Sequence, residues 1–254
     1  MACAAFVAQS GARVLVVEKQ DTVGGSSNYS AGMFWAPQTY DKLRSWVPDG
    51  GPELQRAWLN EYLPAVQWMR ENQVPIAERF DGIMTIGIGF PIQIPHLHSL
   101  HRKRIESSKT GSDIWTNTSI VKLIQESPCA PGSRINGAIV RRVQSSGRST
   151  PYVTYGGINI DKQGHALTAD KTIIPELLVA GVDAGGFSNL GYAGGLALAF
   201  VMAFGQRERW HENWDSRYRV FQCRMQEMLR LSQTRGVCDA VSIVIRNLFL
   251  SSTN

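Results

Sequence analysis

Three groups of residues in this 254-residue chain have the types and spacing to do chemistry. The first is Glu18, the last residue of the apolar run R-V-L-V-V-E that follows a short stretch of small residues closed by Gly11. A helix running into such a strand matches the second half of a dinucleotide-binding βαβ unit. There the strand-end carboxylate accepts hydrogen bonds from the ribose hydroxyls of an adenosine. An ordinary βα unit with a surface glutamate reads the same from this piece alone. The second group is the run Gly24-Gly25-Ser26-Ser27-Asn28-Tyr29-Ser30-Ala31-Gly32-Met33. Paired glycines let the backbone approach a ligand, and hydroxyls with free amides can then donate to it. A surface loop rich in turn residues is the plain alternative. The third group is a series of glycine pairs, at 156–157, 185–186 and 194–195, each beside the boundary of an expected element. Glycines between a strand end and a helix start present amide donors and a positive dipole to an electron-rich group.

Other combinations lead to exclusions. His96, His98 and His101 are spaced by two and three with no carboxylate or thiolate close by, so a metal site is not expected and a structural role is. The four cysteines, Cys3, Cys129, Cys223 and Cys238, form no C-x-x-C pattern. Zinc and a disulfide framework are therefore not expected, and a reducing, cytoplasmic setting is. No G-x-S-x-G elbow supports Ser/His/Asp hydrolysis.

These groups need elements to hold them. Residues 4–9 read as a helix and 13–18 as a strand buried on both faces, hence part of a parallel sheet covered by helices. Leu54, Trp58, Tyr62, Val66 and Met69 recur at helical spacing, giving two short helices broken at Pro64 with a core-facing stripe. Residues 85–98 suggest an irregular or edge strand. Residues 116–125 and 134–142 read as a strand pair joined by a Pro/Gly-rich turn. A polar linker leads to short strands at 154–161 and 173–180, then a small-residue helix over 196–205. Beyond it, Trp210, Trp214, Tyr218, Phe221, Met225 and Met228 give an amphipathic helix, and Val241, Val244, Ile245 and Leu248 a further one.

The run VEKQDTVGGSSNYSAGMFWAP resembles the flavin-contacting segment of the fumarate reductase and 3-ketosteroid dehydrogenase superfamily of FAD-dependent oxidoreductases. Later, T-Y-G-G-I-N-I-D, I-I-P-E-L-L-V-A-G-V-D and Y-A-G-G are similar to the C-terminal FAD signature of the same superfamily. The resemblance implies FAD as cofactor. It implies cofactor contacts from Glu18, Lys19, Gly24, Gly25, Ser26, Ser27, Ala31 and Gly32, with backbone at Val121 meeting the adenine. From the C-terminal signature it implies Gly181, Asp183, Gly194, Gly195 and Leu196. Glycines at a helix start suit the negative charge that a reduced flavin carries near N1 and O2. Three positions depart from the pattern: Val182 where many members have Glu, with Asp183 next; Glu176 in place of a turn glycine; and Val153 where fumarate reductases have a substrate-binding His. The last argues against a dicarboxylate substrate. No catalytic acid is identified beyond Tyr192, the tyrosine in a cofactor-adjacent motif, as a candidate.

The expected fold class is α/β. It is a partial Rossmann-like FAD-binding domain over 1–205, with flavin motifs split between 13–33 and 154–205, and a helical tail over 206–254. The glycine fingerprint G-x-G-x-x-G and a separate cap domain, both usual in the resembled family, are expected to be missing, as in a truncated member. The net charge of +5 is concentrated in the tail and in the cluster His101-Arg102-Lys103-Arg104, which lacks interleaved aromatics, so nucleic acid is not an expected partner. No run of eighteen apolar residues predicts a membrane span. The expected function is hydride transfer between flavin N5 and a small organic molecule. That means α,β-dehydrogenation or enone reduction on a steroid- or terpenoid-like compound or an organic acid. The alternative is a catalytically inactive remnant or interaction protein. The tail helices are expected either to form a homo- or hetero-oligomeric contact or to dock on the chain's own sheet.

Overall fold

The computed structural model describes residues 1–83, 86–128, 130, 132–142, 157–187 and 243–245. Helix α1 (Ala2–Gln9) is made of small residues and is buried from Ala2 through Ala8, so it is enclosed on all sides rather than amphipathic. It ends in a Schellman motif. Ala12 N–H donates to the Val7 carbonyl, Gly11 N–H to the Ala8 carbonyl, both at 3.2 Å, and Gly11 takes φ +88°. The chain then enters β1 (Leu15–Val17), whose last two residues are buried.

The next elements form a sheet of their own. β2 (Met33–Pro37) precedes α2 (Tyr40–Trp46) and α3 (Pro52–Glu71), followed by β3 (Phe80–Ile83) and β4 (Gly87–Pro91). The strand order is β2-β4-β3, all antiparallel. Gly87 and Gly89 empty one face of β4 for Trp35: a Cβ at Gly87 would lie 2.3 Å from its ring, and one at Gly89 2.1 Å from Ile83 Cδ1. Two sequence expectations are corrected here. β4 is the central strand of this sheet, not an edge, because glycine lets it lie against the indole. And α3 is one helix of 20 residues running through Pro64, not two. The proline removes one N–H, but the buried stripe Leu54, Trp58, Tyr62, Val66 and Met69 packs continuously on both sides of it. Tyr62 anchors that stripe, its hydroxyl 3.1 Å from the carbonyls of Phe34 and Ile88.

Helix α4 (Ile94–Glu106) returns the chain to β5 (Asp113–Trp115), which pairs with β1 in parallel, Leu15 opposite Asp113. Residues 94–98 are thus the first turn of a helix rather than the end of a strand. α1, α3 and α4 meet at Phe6, Trp68 and His101: Phe6 stands edge-on to Trp68 at 4.7 Å, and His101 stacks on Trp68 at 5.6 Å. The antiparallel hairpin of β6 (Thr118–Gln125) and β7 (Ile135–Arg142) follows as expected.

The later described segments are β8 (Ile158–Asn159), β9 (His165–Leu167), β10 (Ile173–Leu178) and β11 (Ala184–Gly185). β9 and β10 are antiparallel, and β8 and β11 parallel. β12 (Ile243–Ile245) lies antiparallel to β1 on the side away from β5. This corrects the helix expected from Val244 and Ile245, since a backbone edge of β1 is available there for strand pairing. The linker 143–156, the helix expected over 196–205 and the one expected over 210–228 lie outside the described residues.

Candidate cofactor site

The site starts where β1 ends. Glu18 is 2% exposed, and its Oε1 accepts the N–H of Gln20 at 2.8 Å. Its backbone continues the parallel pairing, donating to the Trp115 carbonyl and accepting from Thr118 N–H, at 2.8 and 2.9 Å. The carboxylate therefore stands between the end of β1 and the start of β6, fixed by backbone on both sides. Lys19 follows it, half-buried.

The glycine and hydroxyl run folds into a 3-10 turn, Gly25–Tyr29, entered through Gly24 at φ +112°. Asn28 braces the turn by donating from Nδ2 to the Val23 carbonyl at 2.9 Å. A Cβ at Gly24 would sit 2.5 Å from that amide, so glycine is required here by the turn itself. Gly32 is similar: a Cβ would fall 2.0 Å from the Ile92 carbonyl, and Ile92 N–H donates to Gly32 O at 2.9 Å. Ala31 and Tyr29 are exposed. Ser27 Oγ lies 2.5 Å from the Gly24 carbonyl and 2.7 Å from Nε2 of His98 on α4. Thus Glu18 is fixed by the backbone of β5 and β6, and Ser27 of the following turn by His98 on α4.

Val121 lies on β6, 37% exposed. The ladder with β7 shifts register between Ile120 and Lys122, so Val121 has no Cα partner on β7. A bulge falls at the position where the resemblance implies backbone contact with adenine, and bulges are a recurrent way of freeing backbone at a site.

The C-terminal signature is described as far as Phe187. β10 ends at Leu178, which packs with Met1, Cys3, Val16 and Val23 around α1 and β1. Val179 and Ala180 lead into a short 3-10 turn, Gly181–Asp183, with Gly181 at φ +88°. Asp183 is 3% exposed, burial pushes its carboxyl well above the usual range, and Oδ2 has no hydrogen-bond partner among the described residues. Gly157 and Gly185 touch backbone to backbone, since a Cβ on Gly185 would lie 2.8 Å from Gly157. These two glycines serve strand contact rather than ligand approach. Tyr192, Gly194, Gly195 and Leu196 lie outside the described residues.

Two histidines show what sequence reasoning separated poorly. His101 is 1% exposed against Trp68 and Phe6, a core residue whose pKa burial holds well below the ordinary value. His98, one helical turn earlier, belongs to the site through Ser27, which no spacing signal indicated. Among the described residues no group of three His, Cys, Asp or Glu side chains is placed to hold a metal ion.

A mixed α/β chain with a buried strand-end carboxylate beside a glycine-entered hydroxyl turn has the architecture of a nucleotide-cofactor binding domain. A sequence profile described as "FAD binding domain" matches residues 1–153, more than half of the chain, and the protein belongs to that family. Family membership indicates FAD as its cofactor, as the resemblance implied. Among solved structures, the crystal structure of Thermovibrio ammonificans THI4 is similar at 10% identity and a TM-score of 0.44, covering 81% of each chain. No curated protein sequence matches. The residues present fit the cofactor: a buried carboxylate at the strand end, a buried Asp183 oxygen with no hydrogen-bond partner among the described residues, and a bulge at Val121. Among the described residues no helix is long and apolar enough to cross a membrane.

Proposed function

We propose that this protein is an FAD-dependent oxidoreductase moving a hydride between flavin N5 and an organic substrate. The chemistry is α,β-dehydrogenation or enone reduction of a steroid- or terpenoid-like compound or an organic acid. The observation that carries this reading is the buried Glu18 carboxylate at the end of β1, followed in sequence by the glycine-entered Gly24–Ser27 turn, in a chain of the FAD binding domain family. When bound, the cofactor supplies a two-electron hydride acceptor and donor.

The chain's own residues bind and orient. Glu18, already holding Gln20 N–H through Oε1, accepts ribose hydroxyls. The bulged backbone at Val121 would hold the adenine, and the Gly24–Ser27 turn the pyrophosphate and ring. Asp183, buried and with Oδ2 unpartnered among the described residues, would hold a ribityl oxygen. The FAD-binding unit is taken to span 1–205 with a tail over 206–254, and the protein to work in the cytoplasm as its cysteine usage suggests.

Purified protein tests the reading. Flavin released on denaturation, or taken up when FAD is added to the apo chain, is the expected result. Anaerobic bleaching of the bound flavin by a panel of saturated acids and ketones, or reoxidation of the reduced form by enones, is expected for at least one class. A protein that holds FAD but exchanges electrons with none of them supports the inactive alternative. One that takes up no flavin overturns the FAD-dependent reading and leaves the interaction-protein alternative.

A further inference from the structure

Helix α4 holds His98 in a fixed place. Ile94, Leu97, His101 and Ile105 are buried along its inner face, so the ring of His98 has little freedom to move along or around the helix axis. From there Nε2 reaches Ser27 Oγ at 2.7 Å, across 71 residues of sequence. Ser27 Oγ also lies 2.5 Å from the carbonyl of Gly24, the left-handed residue that opens the turn.

The proton count in this chain of contacts is determinate. A carbonyl can only accept, so the single hydroxyl proton of Ser27 goes to Gly24 O. The contact with His98 must then be donated by the ring, which carries its proton on Nε2. Burial pushes the His98 pKa down to about 4, so the ring is neutral at pH 7 and its Nδ1 is a bare acceptor. Nδ1 is buried and has no hydrogen-bond partner among the described residues. Ser27 Oγ, having donated once and accepted once, keeps one lone pair.

We propose that His98 is the positioning residue of the cofactor turn. Its Nε2–H locks the Ser27 hydroxyl onto Gly24 O, so that Ser27 Oγ meets FAD as a hydrogen-bond acceptor, for a hydroxyl or N–H of the cofactor. This rests on the FAD reading above and adds to it a direction of hydrogen bonding and a residue outside the family motif. Without His98, the hydroxyl rotates among several acceptors and the cofactor must order it on binding.

The test combines affinity with a measurement that needs no cofactor. In FAD titrations followed by flavin fluorescence, His98→Leu weakens binding about tenfold, the scale of one buried hydrogen bond. His98→Gln, whose side-chain amide can still donate to Ser27, recovers affinity to within about threefold of wild type. In a Ser27→Ala background His98→Leu costs no further affinity, because its target is gone. On the apo protein, nitrogen NMR of the imidazole finds the proton on Nε2, and Ser27→Ala removes that preference. Equal losses in the Leu and Gln variants, additive losses in the double variant, or a ring protonated on Nδ1 would each overturn the proposal. A wild-type chain that takes up no FAD overturns the reading beneath it. The Nε2–H signature in the apo chain tells that failure apart from failure of the His98–Ser27 pairing.

Discussion

At the scale of single residues, Glu176 carries a visible strain. It adopts φ +64°, in the left-handed region where the resembled motif has a turn glycine, while its carboxylate lies 3.4 Å from Arg134. A β-carbon in that region costs roughly 1 kcal/mol. Glu176→Gly and Glu176→Ala both remove the pairing with Arg134, so their difference isolates the backbone. The glycine variant is expected to melt about 2–4 °C above the alanine variant by calorimetry. Equal melting temperatures would mean that the strain is not stored there. Asp183 makes a second prediction. Its folded carboxyl binds a proton more tightly than the unfolded one. The stability it contributes is therefore fully present below the ordinary carboxyl pKa of 3.8 and is lost as pH rises toward the folded value. Asp183→Asn is expected to remove that loss, gaining on wild type by at most about 1.4 kcal/mol per pH unit across the window. Denaturant melts at several pH values check this, and a gap that does not grow with pH would refute it.

At the scale of elements, the site depends on irregularities more than on regular structure. β6 can be made regular by deleting Val121, which would leave Ile120 opposite Val140 and Lys122 opposite Ile139 in unbroken succession. The hairpin should survive by circular dichroism while FAD affinity falls by about tenfold, since the unpaired backbone is lost. Unchanged affinity would separate the bulge from the cofactor. Bulges of this kind are hard to read in advance. The alternation of residues 116–125 identified the strand and its partner, but nothing in the letters distinguishes an in-register valine from a bulged one. The same holds for Pro64, where local propensity argued for a break and long-range burial of Trp58, Tyr62 and Met69 overrode it. Gly87 and Gly89 read as marks of an irregular or edge strand, because the Trp35 ring they accommodate lies about fifty residues earlier in the chain. Strand-end chemistry was legible, since Glu18 follows directly from a buried apolar run. The role of His98 was not, because it depends on which turn of α4 faces Ser27.

At the scale of the whole molecule, the groups proposed to hold the cofactor come from three distant stretches: the end of β1 with the 24–32 segment, Val121 within β6, and the turn after β10. Leu178 joins the last of these to the core around α1, so the proposed FAD contacts are tied into the N-terminal packing. Ligand binding should therefore stabilise the fold as a unit. At a hundred times its dissociation constant, FAD adds about 2.7 kcal/mol, expected as a single cooperative shift in thermal melts. Two transitions, of which only one moves, would show that the cofactor segments fold apart from each other.

The pairing of β1 with β5 has a consequence for how the protein is made. Arg13 and Val14 bond to Gly111 and Ser112 at a sequence separation of 98. At ribosomal rates of about 5–20 residues per second, β1 is complete roughly 5–20 s before its parallel neighbour has been synthesised. Through that interval a three-residue apolar strand, followed directly by Glu18, has an open edge and nothing in β5 to close it. The nascent chain is most exposed to mispairing there, at the strand on which the finished site is built.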